Sequence, residues 1–84
     1  MAQKMSKTNQ SVEKTMRIVE ILARANSPMR LSDIARDAEI PASTTLRMVN
    51  TLVECGYAYQ EENGSQGYGL TMRFFKIGQQ VASH

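Results

Sequence analysis

Apolar residues recur along the first third of the chain at helical spacing. Val12, Met16 and Val19 form one row, and Ile18, Ile21, Leu22 and Ala25 a second. Together they predict an amphipathic helix with Ser11 at its N-cap. Glu13 precedes Arg17 by four residues and Glu20 precedes Arg24 by four, an order that predicts ion pairs along the polar side, each worth about 0.2–0.5 kcal/mol. Asn26-Ser27-Pro28 breaks the pattern, and Met29-Arg30-Leu31 alternates as a very short extended segment would. Ser32 is the expected cap of a second, short helix carrying Ile34, Ala35 and Ala38, with Asp33 in the first turn, where the helix dipole favours negative charge.

Glu39-Ile40-Pro41 predicts a turn, because proline disfavours helical geometry in the residue before it and suits the first position of a new helix. The third helix is expected over 41–55. Thr45, Met48, Val49, Leu52 and Gly56 fall on one side and Ser43, Arg47, Asn50 and Glu54 on the other. Gly56 ends it. Tyr57-Ala58-Tyr59 then predicts a strand, Asn63-Gly64 a hairpin turn and Tyr68-Gly69-Leu70 the returning strand, with the register left open by the length of the segment between. Thr71 reads as the N-cap of a last helix with Phe74, Phe75, Ile77 and Val81 at its apolar positions.

Two helices joined by a three-residue turn with an apolar residue inside it make a helix-turn-helix pattern, here with Ile40 in the turn and Ala35 where the backbones must approach. Ile34, Ala38 and Met48 supply the remaining contacts that fix the crossing. The hairpin completes the expected fold class, mainly α with a small β-hairpin, a winged helix-turn-helix. In such a unit the helix 41–55 enters the major groove of double-stranded DNA and its first turns reach the bases. Ser43, Thr44 and Arg47 are the first candidates, hydroxyls for phosphate or base edges and a guanidinium for bidentate contact to guanine, with Asn50 one turn on for adenine or phosphate. By itself the polar side of a helix is a solvated face; the ordered series of elements around it is what favours a reading role.

Composition narrows the alternatives. At 84 residues the chain is expected to hold one small domain, laid out as a flexible basic arm over 1–10, a winged helix-turn-helix over 11–70 and a C-terminal helix over 71–84. No apolar run approaches a membrane span and no signal-peptide core is present, so a cytoplasmic location without membrane attachment is expected. One histidine, His84, and one cysteine, Cys55, give no metal cluster, no catalytic base beside a nucleophile and no basis for a cofactor. Cys55 is expected to be a small buried residue closing the third helix. An enzyme is therefore the least favoured class. The net charge of +2 says less than its placement. Gln60-Glu61-Glu62-Asn63 makes the wing acidic, which argues against a wing buried deep in a minor groove. Lys4, Lys7, Lys14, Arg17, Arg30, Arg36 and Arg47 carry the compensating charge, with Lys7, Lys14, Arg17 and Arg30 as candidate phosphate contacts. A winged-helix module that binds protein instead of DNA is the alternative.

The segment Ser11 to Gly78 resembles the N-terminal DNA-binding domain of the IclR family of bacterial transcriptional regulators. The likeness is carried by Leu31-Ser32-Asp33-Ile34-Ala35, Ile40-Pro41-Ala42-Ser43-Thr44-Thr45-Leu46-Arg47, Thr51-Leu52-Val53-Glu54-Cys55-Gly56-Tyr57 and Tyr68-Gly69-Leu70 through Phe75-Lys76-Ile77-Gly78. The resemblance implies a homodimer on a roughly palindromic operator, and in full-length members a larger effector-binding domain following the last helix. No small-molecule effector is expected on these residues. Four positions depart from the family pattern: Glu39 stands for a usual glycine, Ala42 for a frequent lysine near the DNA, Thr45 for a valine, and Leu46 for a more polar residue.

Overall fold

In the computed structural model, residues 7–64 and 66–84 are described. Lys4 and most of the expected arm lie outside them. Four helices and one hairpin follow in the order α1 (Gln10–Arg24), α2 (Leu31–Ala38), α3 (Ala42–Glu54), β1 (Ala58–Gln60), β2 (Tyr68–Leu70) and α4 (Arg73–Ala82).

The start of α1 differs from the expectation in a way that hydrogen bonding explains. Asn9, not Ser11, is the N-cap, and its side-chain oxygen accepts from the Ser11 and Val12 N–H groups at 3.0 and 3.2 Å. Ser11 is thereby drawn into the first turn. Of the apolar rows, Ile18, Val19, Ile21 and Leu22 are buried, whereas Val12 and Met16 lie on the exposed surface. Neither expected ion pair of α1 forms among the described residues. Arg17 instead reaches across to α2, its Nη1 donating to the Ala38 carbonyl at 2.8 Å. A second boundary also moves: α2 begins at Leu31 with extended Arg30 as its N-cap and no side-chain cap, so Ser32 sits inside the helix.

α2 and α3 end in the same six-residue device, in which the residue after a left-handed position donates back to the fourth carbonyl before that position. Ile40 donates to Ala35 and Glu39 to Arg36 in the first case, and Tyr57 to Leu52 and Gly56 to Val53 in the second. The left-handed position is Gly56 in α3, with φ of 87°, and Glu39 in α2, with φ of 59° and ψ of 46°. Glycine adopts that geometry freely, and glutamate adopts it against its own Cβ. Glu39 thus forms the turn and carries its conformational cost.

The turn delivers α3 onto a core of Ile18, Leu22, Ile34, Ala38, Ile40, Val49 and Leu52, with half-buried Met48 packed against it. Thr45 is fully buried, yet its hydroxyl is satisfied by donating to the Pro41 carbonyl at 3.0 Å, with Ile40 O at 3.4 Å. A threonine therefore occupies a valine-sized site without an orphaned polar atom.

Past α3 the strands pair antiparallel with Ala58 opposite Leu70, Tyr59 opposite Gly69 and Gln60 opposite Tyr68. Tyr68 also exchanges both backbone hydrogen bonds with Met29, at 2.7 and 2.9 Å, so the short extended segment before α2 lies beside the hairpin as a minimal third strand. The connection is longer than the two-residue turn that Asn63-Gly64 suggests: the Glu61 N–H donates to Gly67 O at 2.8 Å, closing a loop over 61–67. Gly67 is buried there, and a Cβ on it would stand 2.7 Å from Pro28 Cβ.

Cys55 is exposed, against the expectation of burial. It is the C-cap of α3, where the chain is already turning into the left-handed Gly56, and Leu52 and Tyr57 take the inward positions on either side. Gly56 is exposed as well and does not extend the buried stripe. Met72, not Thr71, is the N-cap of α4; the Thr71 hydroxyl accepts from the Arg73 N–H at 3.3 Å and donates to Gly56 O at 2.7 Å, tying the start of α4 to the end of α3. Of the four apolar residues expected on this helix, Phe74 alone packs inward, its ring 5.0 Å from that of Tyr57. Phe75, Ile77 and Val81 are exposed.

Candidate nucleic-acid interface

α3 is held on one side and bare on the other. Thr45, Val49 and Leu52 are buried, while Ala42, Ser43, Leu46, Arg47, Asn50 and Glu54 are exposed and Thr44 is half-buried at the edge. The spacing of three and four residues brings Ser43, Leu46, Arg47 and Asn50 onto one outward ridge. No side-chain oxygen caps the start of the helix. Its first N–H groups therefore lie at an end where the helix dipole is positive and small Ala42 leaves the backbone accessible.

The electrostatics of this ridge favour an anionic partner. From Ala42 to Val53 the helix contains no carboxylate, and the Arg47 guanidinium has no hydrogen-bond or ion-pair partner among the described residues. Two shallow grooves flank the ridge. One, toward α1, is lined by Ser11, Thr15, Arg47, Met48 and Thr51. The other, toward the hairpin, is lined by Arg30, Ser32, Leu46, Gln60, Gln66 and Tyr68, with Leu31 on its wall. Neither is lined by an acidic residue.

The remaining basic candidates divide by what already holds them. Lys7 and Arg30 are exposed and Lys14 is half-buried. Arg17 is engaged with Ala38, and Arg36 is neutralised by Asp33 at 3.1 Å and Asp37 at 3.3 Å. Only the second engagement is visible in the spacing, since Asp33 and Asp37 bracket Arg36 on its own helix, whereas the partner of Arg17 is a backbone carbonyl on another helix. Leu46 is the residue of this ridge to which the sequence reading gave no role. Its position, three residues after Ser43 and four before Asn50, was the available signal.

A family model, the IclR helix-turn-helix domain, matches residues 11–62. The chain belongs to the IclR helix-turn-helix family. The match runs from α1 through α3 into the hairpin, so the ridge and the strained turn at Glu39 both lie within the IclR domain. Solved structures agree with the architecture. HmgR of Pseudomonas aeruginosa superposes with a TM-score of 0.76 at 25% identity, covering 89% of this chain and 30% of that one. An IclR transcriptional regulator of Alicyclobacillus acidocaldarius gives 0.81 at 23% identity, over 90% of this chain and 30% of that one. The Zα domain of Carassius auratus PKZ, solved in complex with Z-DNA, shares the fold with a TM-score of 0.68 at 16% identity, over 75% of this chain and all of that domain (100%). The chain thus spans about a third of the length of HmgR and of the Alicyclobacillus regulator. No curated protein matches it by sequence. Family and fold make this an IclR helix-turn-helix domain of winged architecture. No helix among the described residues is long and apolar enough to cross a membrane.

Proposed function

We propose that this IclR-type domain binds double-stranded DNA sequence-specifically by seating α3 in the major groove. The observation that carries the reading is the exposed, carboxylate-free ridge from Ala42 to Asn50, with an uncapped amino end and an unengaged arginine. Ser43, Arg47 and Asn50 meet base edges, Arg47 by a bidentate contact to guanine worth about 1–3 kcal/mol of discrimination. Thr44 and the backbone at Ala42 take a phosphate at the helix start. Lys7, Lys14 and Arg30 meet the sugar-phosphate backbone without reading sequence. Arg17 acts indirectly, by holding α2 against α1. The acidic wing tip at Glu62 stays clear of the phosphates.

The domain acts as a homodimer on a roughly palindromic operator, one copy per half-site. Exposed Phe75 and Val81 on α4, 57% and 69% accessible, supply apolar surface for pairing. Sedimentation alone and on a two-half-site duplex measures this directly; a single copy on such a duplex at high concentration contradicts it. Sequence-specific binding is tested by titrating the chain against duplexes selected from a random pool and against unselected duplexes at several salt concentrations. The expected result is salt-dependent binding to both, tighter to the selected set. Absence of salt-dependent binding to any duplex refutes the reading and leaves the protein-interaction alternative.

A further inference from the structure

The ridge of α3 is otherwise made of hydroxyl, guanidinium and amide groups, but Leu46 stands in the middle of it, 39% exposed. It leans toward the hairpin, where it lines the groove shared with Arg30, Ser32, Gln60, Gln66 and Tyr68. Because that lining contains no carboxylate, a nucleic-acid strand can come against the leucine without like-charge repulsion. An apolar side chain there has one kind of apolar partner in the major groove. Of the four bases only thymine presents a hydrocarbon group on that edge, its C5-methyl.

We propose that Leu46 is a specificity-determining residue that packs against the C5-methyl group of one thymine in each half-site. This rests on the major-groove placement of α3 proposed above. The contact is purely van der Waals and hydrophobic, so its signature is the methyl group itself and not the base pair. Burying one methyl-sized group corresponds to a binding change of about fourfold.

The experiment replaces each thymine of a selected duplex, one at a time, by deoxyuridine, which removes the methyl and leaves every hydrogen-bonding group in place. Affinities are measured for the wild-type chain and for Leu46→Ala, Leu46→Gln and Leu46→Met, each checked for thermal unfolding. Loss of about fourfold at one thymine position is expected for the wild type and for Leu46→Met, which retains an apolar tip. At that position Leu46→Ala and Leu46→Gln bind the thymine and deoxyuridine duplexes equally. Leu46→Gln nearly preserves side-chain length, so it supplies the answer if the alanine variant folds poorly. Equal responses of wild type and Leu46→Gln at every thymine overturn the proposal. If the wild type prefers its selected duplex and Arg47→Ala relaxes that preference while the methyl responses stay flat, Leu46 alone loses its role. If the wild type selects no duplex, the major-groove reading and this proposal both fall.

Discussion

Replacing Glu39 by glycine is expected to stabilise the domain, because the turn between α2 and α3 already has the geometry of a glycine. Glu39 sits at φ 59° and ψ 46°, a conformation that costs an L-residue roughly 1–2 kcal/mol. Glycine removes that cost but loses roughly 0.4–1 kcal/mol through the greater freedom it gives the unfolded chain. Removing a negative charge from the carboxyl end of α2 returns about 0.3 kcal/mol. The net gain is about 1 kcal/mol, which for a domain of this size raises Tm by roughly 4–8 °C. Urea unfolding of Glu39→Gly, Glu39→Asn and Glu39→Ala, followed by circular dichroism, separates the terms. Stability should fall in the order glycine, asparagine, alanine at constant m-value, since asparagine tolerates the left-handed region and alanine does not. Gly56→Ala provides the reverse case within the same molecule. A Cβ at Gly56 would meet nothing closer than Arg73 Nη1 at 4.0 Å, so its expected loss of about 1 kcal/mol is purely conformational. Equal stability of Glu39→Gly and Glu39→Ala would refute the reasoning, because both remove the carboxylate and only one relieves the backbone.

Other substitutions separate holding from binding. Arg17→Met should lower stability by about 1 kcal/mol through the lost bond to Ala38 O, while the DNA affinity of the folded protein stays within about twofold, the effect of a residue that meets no phosphate; a drop in the salt slope would show that Arg17 touches DNA. Gly67→Ala should cost about 1–3 kcal/mol by overpacking, since the new Cβ meets Pro28 Cβ at 2.7 Å and the Pro28 carbonyl carbon at 3.1 Å; chemical denaturation reads this directly, and an unchanged midpoint would place the loop elsewhere. Lys7→Ala should weaken selected and random duplexes alike and reduce the salt slope by about one, as loss of a phosphate contact does; an effect confined to the selected duplex would assign it to base reading.

The elements with clear periodicity and punctuation were legible in the sequence. β2 falls at Tyr68–Leu70 as read, and α3 covers Ala42–Glu54 within the expected 41–55. Proline before the helix and glycine after it confine the chain locally, so no tertiary information is needed there. Where two neighbouring residues could do the same work, the sequence was ambiguous. Asn9 and Ser11 are both able N-caps, and Asn9 serves because its side chain reaches two N–H groups at once. The Asn63-Gly64 pair suggested a tight turn, yet pairing of Gln60 with Tyr68 leaves seven residues to close the loop. Burial of Cys55 was inferred from residue type, whereas its exposure follows from the handedness of the chain at the end of α3.

At the candidate interface, the exposed ridge was visible as a stripe, because the inward set Thr45, Val49 and Leu52 defines the outward one. The engagement of Arg17 was not, since its acceptor is a backbone carbonyl 21 residues away. Spacing along one helix can suggest an acidic partner but cannot reveal a carbonyl brought near by the crossing of two helices.

The most direct test of the account is the base-by-base preference of the wild-type chain and Arg47→Ala, measured on the same selected duplex and its single base-pair variants at fixed salt. Arg47→Ala is expected to flatten the preference at one G·C position by about 1–3 kcal/mol and to leave discrimination at distant positions intact. An Arg47→Ala variant that binds every duplex more weakly by the same factor, with every base preference unchanged, would contradict the claim that this ridge of α3 reads sequence.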